Sequence, residues 1–158
     1  MLDYETTPLW SNDEFTIQKF GYNIDNLKDL GLSDETIELS QFVMNLYYDR
    51  LNPIYQMLPS FWSGEMHMYF QNKLRQLFEC ILTDIGNKYD IENKAESEIN
   101  SNIDVHQINA ELNNFLTNPN LYYRKNGITI YKTDEEEKFF IGLEYEKWRK
   151  IELEILNK

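Results

Sequence analysis

The chain has 158 residues, 42% of them hydrophobic and 15% aromatic, with 27 Asp and Glu against 15 Lys and Arg and a net charge of -12. That composition excludes a disordered polyanion, and the length suffices for one domain, residues 1–158, with a real core. The acidity argues against nucleic acid and against an anionic membrane surface as ligands, because phosphate contacts need clustered Lys and Arg; a basic protein partner is the natural complement, and plain solubility is the alternative.

The opening MLDYETTPLW has neither a basic region nor an apolar run, so it does not read as a signal peptide. No apolar stretch approaches membrane-spanning length, and the expectation is a cytoplasmic protein. Ser11 and Glu14 have the spacing of a capping box for a helix over 12–20, although Phe15 and Ile17 alternate as in a strand. Ile24 to Leu30 ends at Gly31, the pattern of one or two helical turns with a glycine C-cap. Ser33 opens a strong helix with Asp34 and Glu35 in its first turn. Its apolar face is Leu39, Phe42, Val43, Leu46 and Tyr47, and Pro53 stops it near Leu51. The segment NPIYQMLPSFWS then reads as a structured connection to an antiparallel neighbour.

The clearest period in the chain runs from Trp62 to Gly86. Met66, Phe70, Leu74, Leu77, Phe78, Ile81 and Ile85 share one helix face, Ser63 is placed to cap the first turn, and Gly86 to close the last one in a left-handed conformation. Cys80 lies within this helix; as the one cysteine it forms no intramolecular disulfide and reads as a small apolar residue. Tyr89 to Glu92 suggests a short strand, and Asn93 to Asn102 a polar surface loop carrying Glu96 and Glu98 close to Glu92. Asp104 and Gln107 fit a capping box before Val105, Ile108, Leu112 and Phe115, with Pro119 as the limit.

Beyond Pro119, LYYRK and ITIYK flank Asn126-Gly127, which predicts a β-hairpin through a type I′ turn. FFIGLEY extends this to a third strand, unless Thr133 and Glu136 cap a long helix from Asp134. EKWRKIELEILNK predicts a terminal helix with Trp148, Ile151 and Ile155 on one face, although the alternation of Ile151, Leu153 and Ile155 also suits a strand. The expected fold class is α+β, mostly α. It has antiparallel helices in the first two-thirds, a small antiparallel hairpin or meander near the C-terminus, and a terminal helix.

No spacing points to catalysis. His67 and His106 fall on separate helices without a HExxH pattern, so no metal is expected. Ser60 and Ser63 lie outside any GxSxG elbow, and Ser63 is more simply an N-cap. The six glycines are scattered, which leaves no phosphate loop and no dinucleotide fingerprint; no cofactor is expected. The densest charge is the run Asp134, Glu135, Glu136 and Glu137. It reads either as a solvated turn or as a surface recognising Lys and Arg of a partner. Tyr122, Tyr123 and Tyr131 on the adjacent hairpin favour the second reading, since aromatic anchors inside a charged rim suit an interface.

In length, acidity, aromatic richness and lack of a catalytic signature the chain resembles the small, acidic, single-domain immunity proteins of bacterial polymorphic and contact-dependent toxin systems. The resemblance is one of type rather than of motif. It implies a cytoplasmic protein that is not an enzyme and that binds a cognate toxin domain, often a nuclease with a basic cleft. Asp134 to Glu137 would form the main contact, with Tyr122, Tyr123 and the Glu92, Glu96, Glu98 loop beside it. The rival readings are a small cytosolic enzyme with an unrecognised site and a homodimeric adaptor that pairs through its aromatic surface.

Overall fold

The computed structural model describes residues 8–49, 60–95, 99–117 and 145–158, together with the backbone of three extended segments between the last two. The chain divides into two compact units, Met1–Tyr48 with Phe70–Ser101, and Asp49–Tyr69 with Asn102–Lys158.

In the first unit, α1 (Glu14–Phe20) and α2 (Leu27–Leu30) precede the long α3 (Asp34–Asp49). α2 ends on left-handed Gly31, as its sequence predicts. The N-cap of α1 is Asp13 rather than the expected Ser11, because the Asp13 carboxylate is the group that reaches the Thr16 N–H, at 3.0 Å. Val43, Met44 and Leu46 of α3 are buried, but Phe42 lies at the surface. The inner stripe is rotated toward Thr36 and Ser40, polar residues that a hydrophobic count assigns to solvent and that are buried here.

The fourth helix, α4, spans Gly64–Ile85, the predicted bounds. Phe70, Leu74, Leu77, Ile81 and Ile85 are buried within the first unit, as the three-four spacing requires, while Phe78, predicted for the same face, is only half-buried. Tyr47 near the end of α3 stacks on Phe70 at 6.4 Å, while Asp84 near the end of α4 bonds Ser33 and Thr36 at the start of α3. The two helices therefore run antiparallel. Gly86 is not left-handed; a Cβ there would sit 2.5 Å from the Leu82 carbonyl oxygen, so a close approach is what calls for glycine. The expected strand at 89–92 is absent: these residues form a bend and irregular chain. The polar stretch after them is tethered by a buried Ile99, whose carbonyl accepts from Arg75 at 3.2 Å, and by Gln71 donating to Ser101 at 2.9 Å.

The second unit holds Phe61–Ser63, the first turns of α4, α5 (Val105–Thr117) and α6 (Tyr145–Leu156). Asp104 accepts from the Gln107 N–H at 3.0 Å, but the Gln107 amide turns to Glu111, so only half of the expected capping box forms. Trp148 of α6 is buried as predicted, whereas Ile151 is exposed and Glu152 takes the inner position.

The expected α+β class is corrected to a mostly helical fold. Helix makes up 66% of the residues described in full, in six helices, with no strand or sheet among them. Each buried apolar side chain described lies on a helix or in a segment flanking one, so the core closes helix on helix. The backbone segments β1 (Tyr122–Lys125), β2 (Ile128–Lys132) and β3 (Glu137–Phe140) follow an antiparallel order β1-β2-β3, yet they contribute no described side chain to that core. The Asn126-Gly127 turn on which the hairpin expectation rests lies outside the described residues, as does most of the connection from Leu51 to Pro59. Among the described residues, no helix is long and apolar enough to cross a membrane.

Leu77, 2% exposed, lies at the centre of the α4 stripe. Leu77→Ala is expected to lower stability by about 2–5 kcal/mol in urea denaturation; a loss under roughly 0.5 kcal/mol, the size of a surface change, would contradict this packing.

Candidate functional site

The residues singled out from sequence do not converge in the structure. Asp134, Glu135, Glu136, Glu96 and Glu98 lie outside the described residues, and Glu137, Tyr122 and Tyr123 have only their backbone described. Glu92 is an exposed loop residue, and Lys94 two positions on forms an ion pair with it. Among the described residues, no group of three or more His, Cys, Asp and Glu side chains is arranged to hold a metal ion.

Of the sixteen carboxylates whose side chains are described, fourteen are exposed; the exceptions are Asp84 and Glu152. Each exception clamps the serine that starts a long helix. Ser63 caps α4, its hydroxyl accepting from the Met66 N–H at 3.2 Å. The same hydroxyl donates to Glu152 Oε1 at 2.5 Å, and the Ser63 N–H donates to Oε2 at 3.1 Å. Arg149, one turn earlier on α6, pairs with Glu152 Oε1. A buried carboxylate is thus supplied with three donors and placed where the helix dipole is positive. Gly64 makes room for the approach of α5: a Cβ there would lie 2.6 Å from the Val105 Cα. The Gly64 N–H donates to Asn109 Oδ1 at 2.7 Å, and the Asn109 amide donates in turn to Glu65.

A serine hydroxyl donating to a carboxylate has the chemistry of a nucleophile beside a base. Here both groups are buried and the serine oxygen already accepts the Met66 N–H, so the pair is engaged as a helix cap. The cluster joins helices. His67 is likewise engaged, edge-on to the buried Trp62 at 5.3 Å, and His106 faces solvent on α5.

Asp84 repeats the device at α3. Its Oδ2 accepts from the Thr36 hydroxyl at 2.7 Å and from the Ser33 N–H and hydroxyl at 2.9 Å each. The Thr36 hydroxyl most of all, then the Ser33 donors, hold its carboxyl below the ordinary value of 3.8. Glu65 is lowered as well, first by its own backbone N–H and then by the Asn109 amide.

Among the described residues, the exposed carboxylates gather toward the start of the chain. Residues 8–38 carry seven of them against two lysines. Trp10, Phe15 and Tyr22 are exposed in the same stretch. From sequence this region reads as a short helix or a strand. The readable signal is three aromatics, Trp10, Phe15 and Tyr22, in a segment too short and too acidic to bury them.

Two outcomes follow from the clamps. Glu152→Ala strips Ser63 and Arg149 of their shared acceptor and should cost about 3 kcal/mol; Ser63→Ala should cost about 1–2 kcal/mol; a double-mutant cycle by thermal unfolding should show the two losses to be non-additive, and simple addition would separate the residues. Because the folded Asp84 carboxyl titrates below its unfolded value, its contribution is complete above about pH 4 and disappears as pH falls through the folded value. Asp84→Asn should therefore narrow the stability gap between pH 7 and pH 3, and an unchanged gap in urea titrations would remove Asp84 as its source. No family model, characterised protein sequence or solved structure matches the chain.

Proposed function

We propose that this chain is an immunity protein: in the cytoplasm it binds a basic toxin domain and neutralises it, without catalytic turnover of its own. The observation that carries the reading is the disposition of charge. Net charge is -12, and fourteen of sixteen described carboxylates stand in solvent while the two others serve helix starts. A field of this sign and size accelerates encounter with a cationic protein and repels nucleic acid. It supports a binder that competes for a basic cleft.

The test is to find whether a toxin gene adjoins this one and to co-express its toxin domain, with association rates measured at low and high salt; the lack of such a neighbour would itself count against the reading. Growth should be restored, and association should slow as salt rises, since exposed charges are screened beyond ~8 Å at physiological ionic strength. The combined change Asp134→Asn, Glu135→Gln, Glu136→Gln and Glu137→Gln should slow association if this run contributes to the rim, with dissociation little changed. Salt-independent association, or failure to protect, would overturn the reading.

A further inference from the structure

The α1 segment is carried on a loop closed at its neck. The Ser11 N–H donates to the Tyr22 carbonyl at 3.0 Å and the Ile24 N–H to the Leu9 carbonyl at 3.3 Å, an antiparallel bridge centred on Trp10 and Asn23. Residues 11–22 are thus a compact surface excursion with joined ends, a form in which binding residues are often presented. α1 buries no side chain. Its last residue, Phe20, meets Tyr89 edge-on at 6.2 Å. Phe15 lies five positions earlier, about 140° round the helix, so it points away from that contact and is 69% exposed. Tyr22, 72% exposed, and Trp10, 38% exposed, flank the neck.

Along residues 8–38 the charge is one-sided, with seven carboxylates against two lysines. Lys19 lies over the Phe20 ring at 4.8 Å and Lys28 pairs with Asp34 at 2.9 Å, so both lysines of the stretch are engaged within the chain. Asp13 is held as the N-cap of α1. Glu14, Asp25, Asp29, Glu35 and Glu38 are exposed and leave the stretch strongly negative. Exposed aromatic anchors set among carboxylates match a partner that presents apolar side chains between Lys and Arg. A second copy of this chain is a poor occupant, because a self-complementary contact would bring like charges together.

We propose that the α1 loop is the docking surface of this protein for a cationic amphipathic segment. Phe15 and Tyr22 enter its apolar face, and Glu14 and Asp25 pair with its flanking Lys or Arg. This deepens the immunity reading and rests on it for the charge of the partner.

The test uses the full chain, isotope-labelled, titrated with a synthetic amphipathic peptide of lysine and leucine, with a glutamate–leucine peptide as control. Amide shifts should concentrate in residues 10–22, and the acidic peptide should produce none. Phe15→Ala should weaken binding about tenfold without lowering the melting temperature, since the ring is exposed; Glu14→Gln with Asp25→Asn should flatten the salt dependence. Shifts centred elsewhere, no binding, equal binding of the acidic peptide, or unchanged affinity in Phe15→Ala would overturn the proposal. So would a dimer in sedimentation that Phe15→Ala dissolves, which would make a second copy the occupant. The two readings fail differently: cells still protected by the Phe15→Ala, Tyr22→Ala variant would remove this surface and leave the immunity function, whereas peptide binding at α1 without protection would do the reverse.

Discussion

A carboxylate gripping the serine at a helix start is the interaction on which each unit of this molecule depends. A helix N-terminus exposes backbone N–H groups and a partial positive charge. Ser33 and Ser63 each satisfy one of those N–H groups, and each is then held by an acid from a distant helix, Asp84 and Glu152. The contact is local at the serine and long-range at the acid, so it converts a helix cap into a tertiary link. It also fixes direction. Asp84 can reach Ser33 only if the end of α4 lies at the start of α3, which makes the pair antiparallel.

The same two contacts explain which face each helix turns inward. Thr36 is drawn in because its hydroxyl donates to Asp84, and Ser40 follows one turn later, which rotates Phe42 to the surface. On α6, Glu152 occupies the inner position at full burial and Ile151 is displaced outward. Burying a carboxylate is unfavourable unless donors replace its water. Ser63 and Arg149 do so, and the apolar neighbours arrange themselves around that requirement.

Acids outside these clamps have a different part. Those described stand in solvent, and many of them lie in the stretch that also leaves Trp10, Phe15 and Tyr22 uncovered. A short helix on a closed neck has too little apolar surface to bury its own rings, and its acids hold the segment in water. That combination gives the segment the composition of an interface, aromatic rings inside an acidic rim.

By itself the sequence determined what depends on near neighbours. The three-four spacing set the extent and inner face of α4, Ser63 and Asp104 marked helix starts, and Trp148 marked the inner side of α6. The balance of charge likewise followed from composition alone. Tertiary structure decided everything that turns on a partner far along the chain: that Glu152 rather than Ile151 faces inward, that Thr36 outranks Phe42, that the core closes on helices, and that Phe15 is left in water. The reason is physical. A hydrophobic period records the average preference of a face, whereas a buried polar residue is stable only when a specific donor or acceptor arrives, and that arrival is a property of the fold.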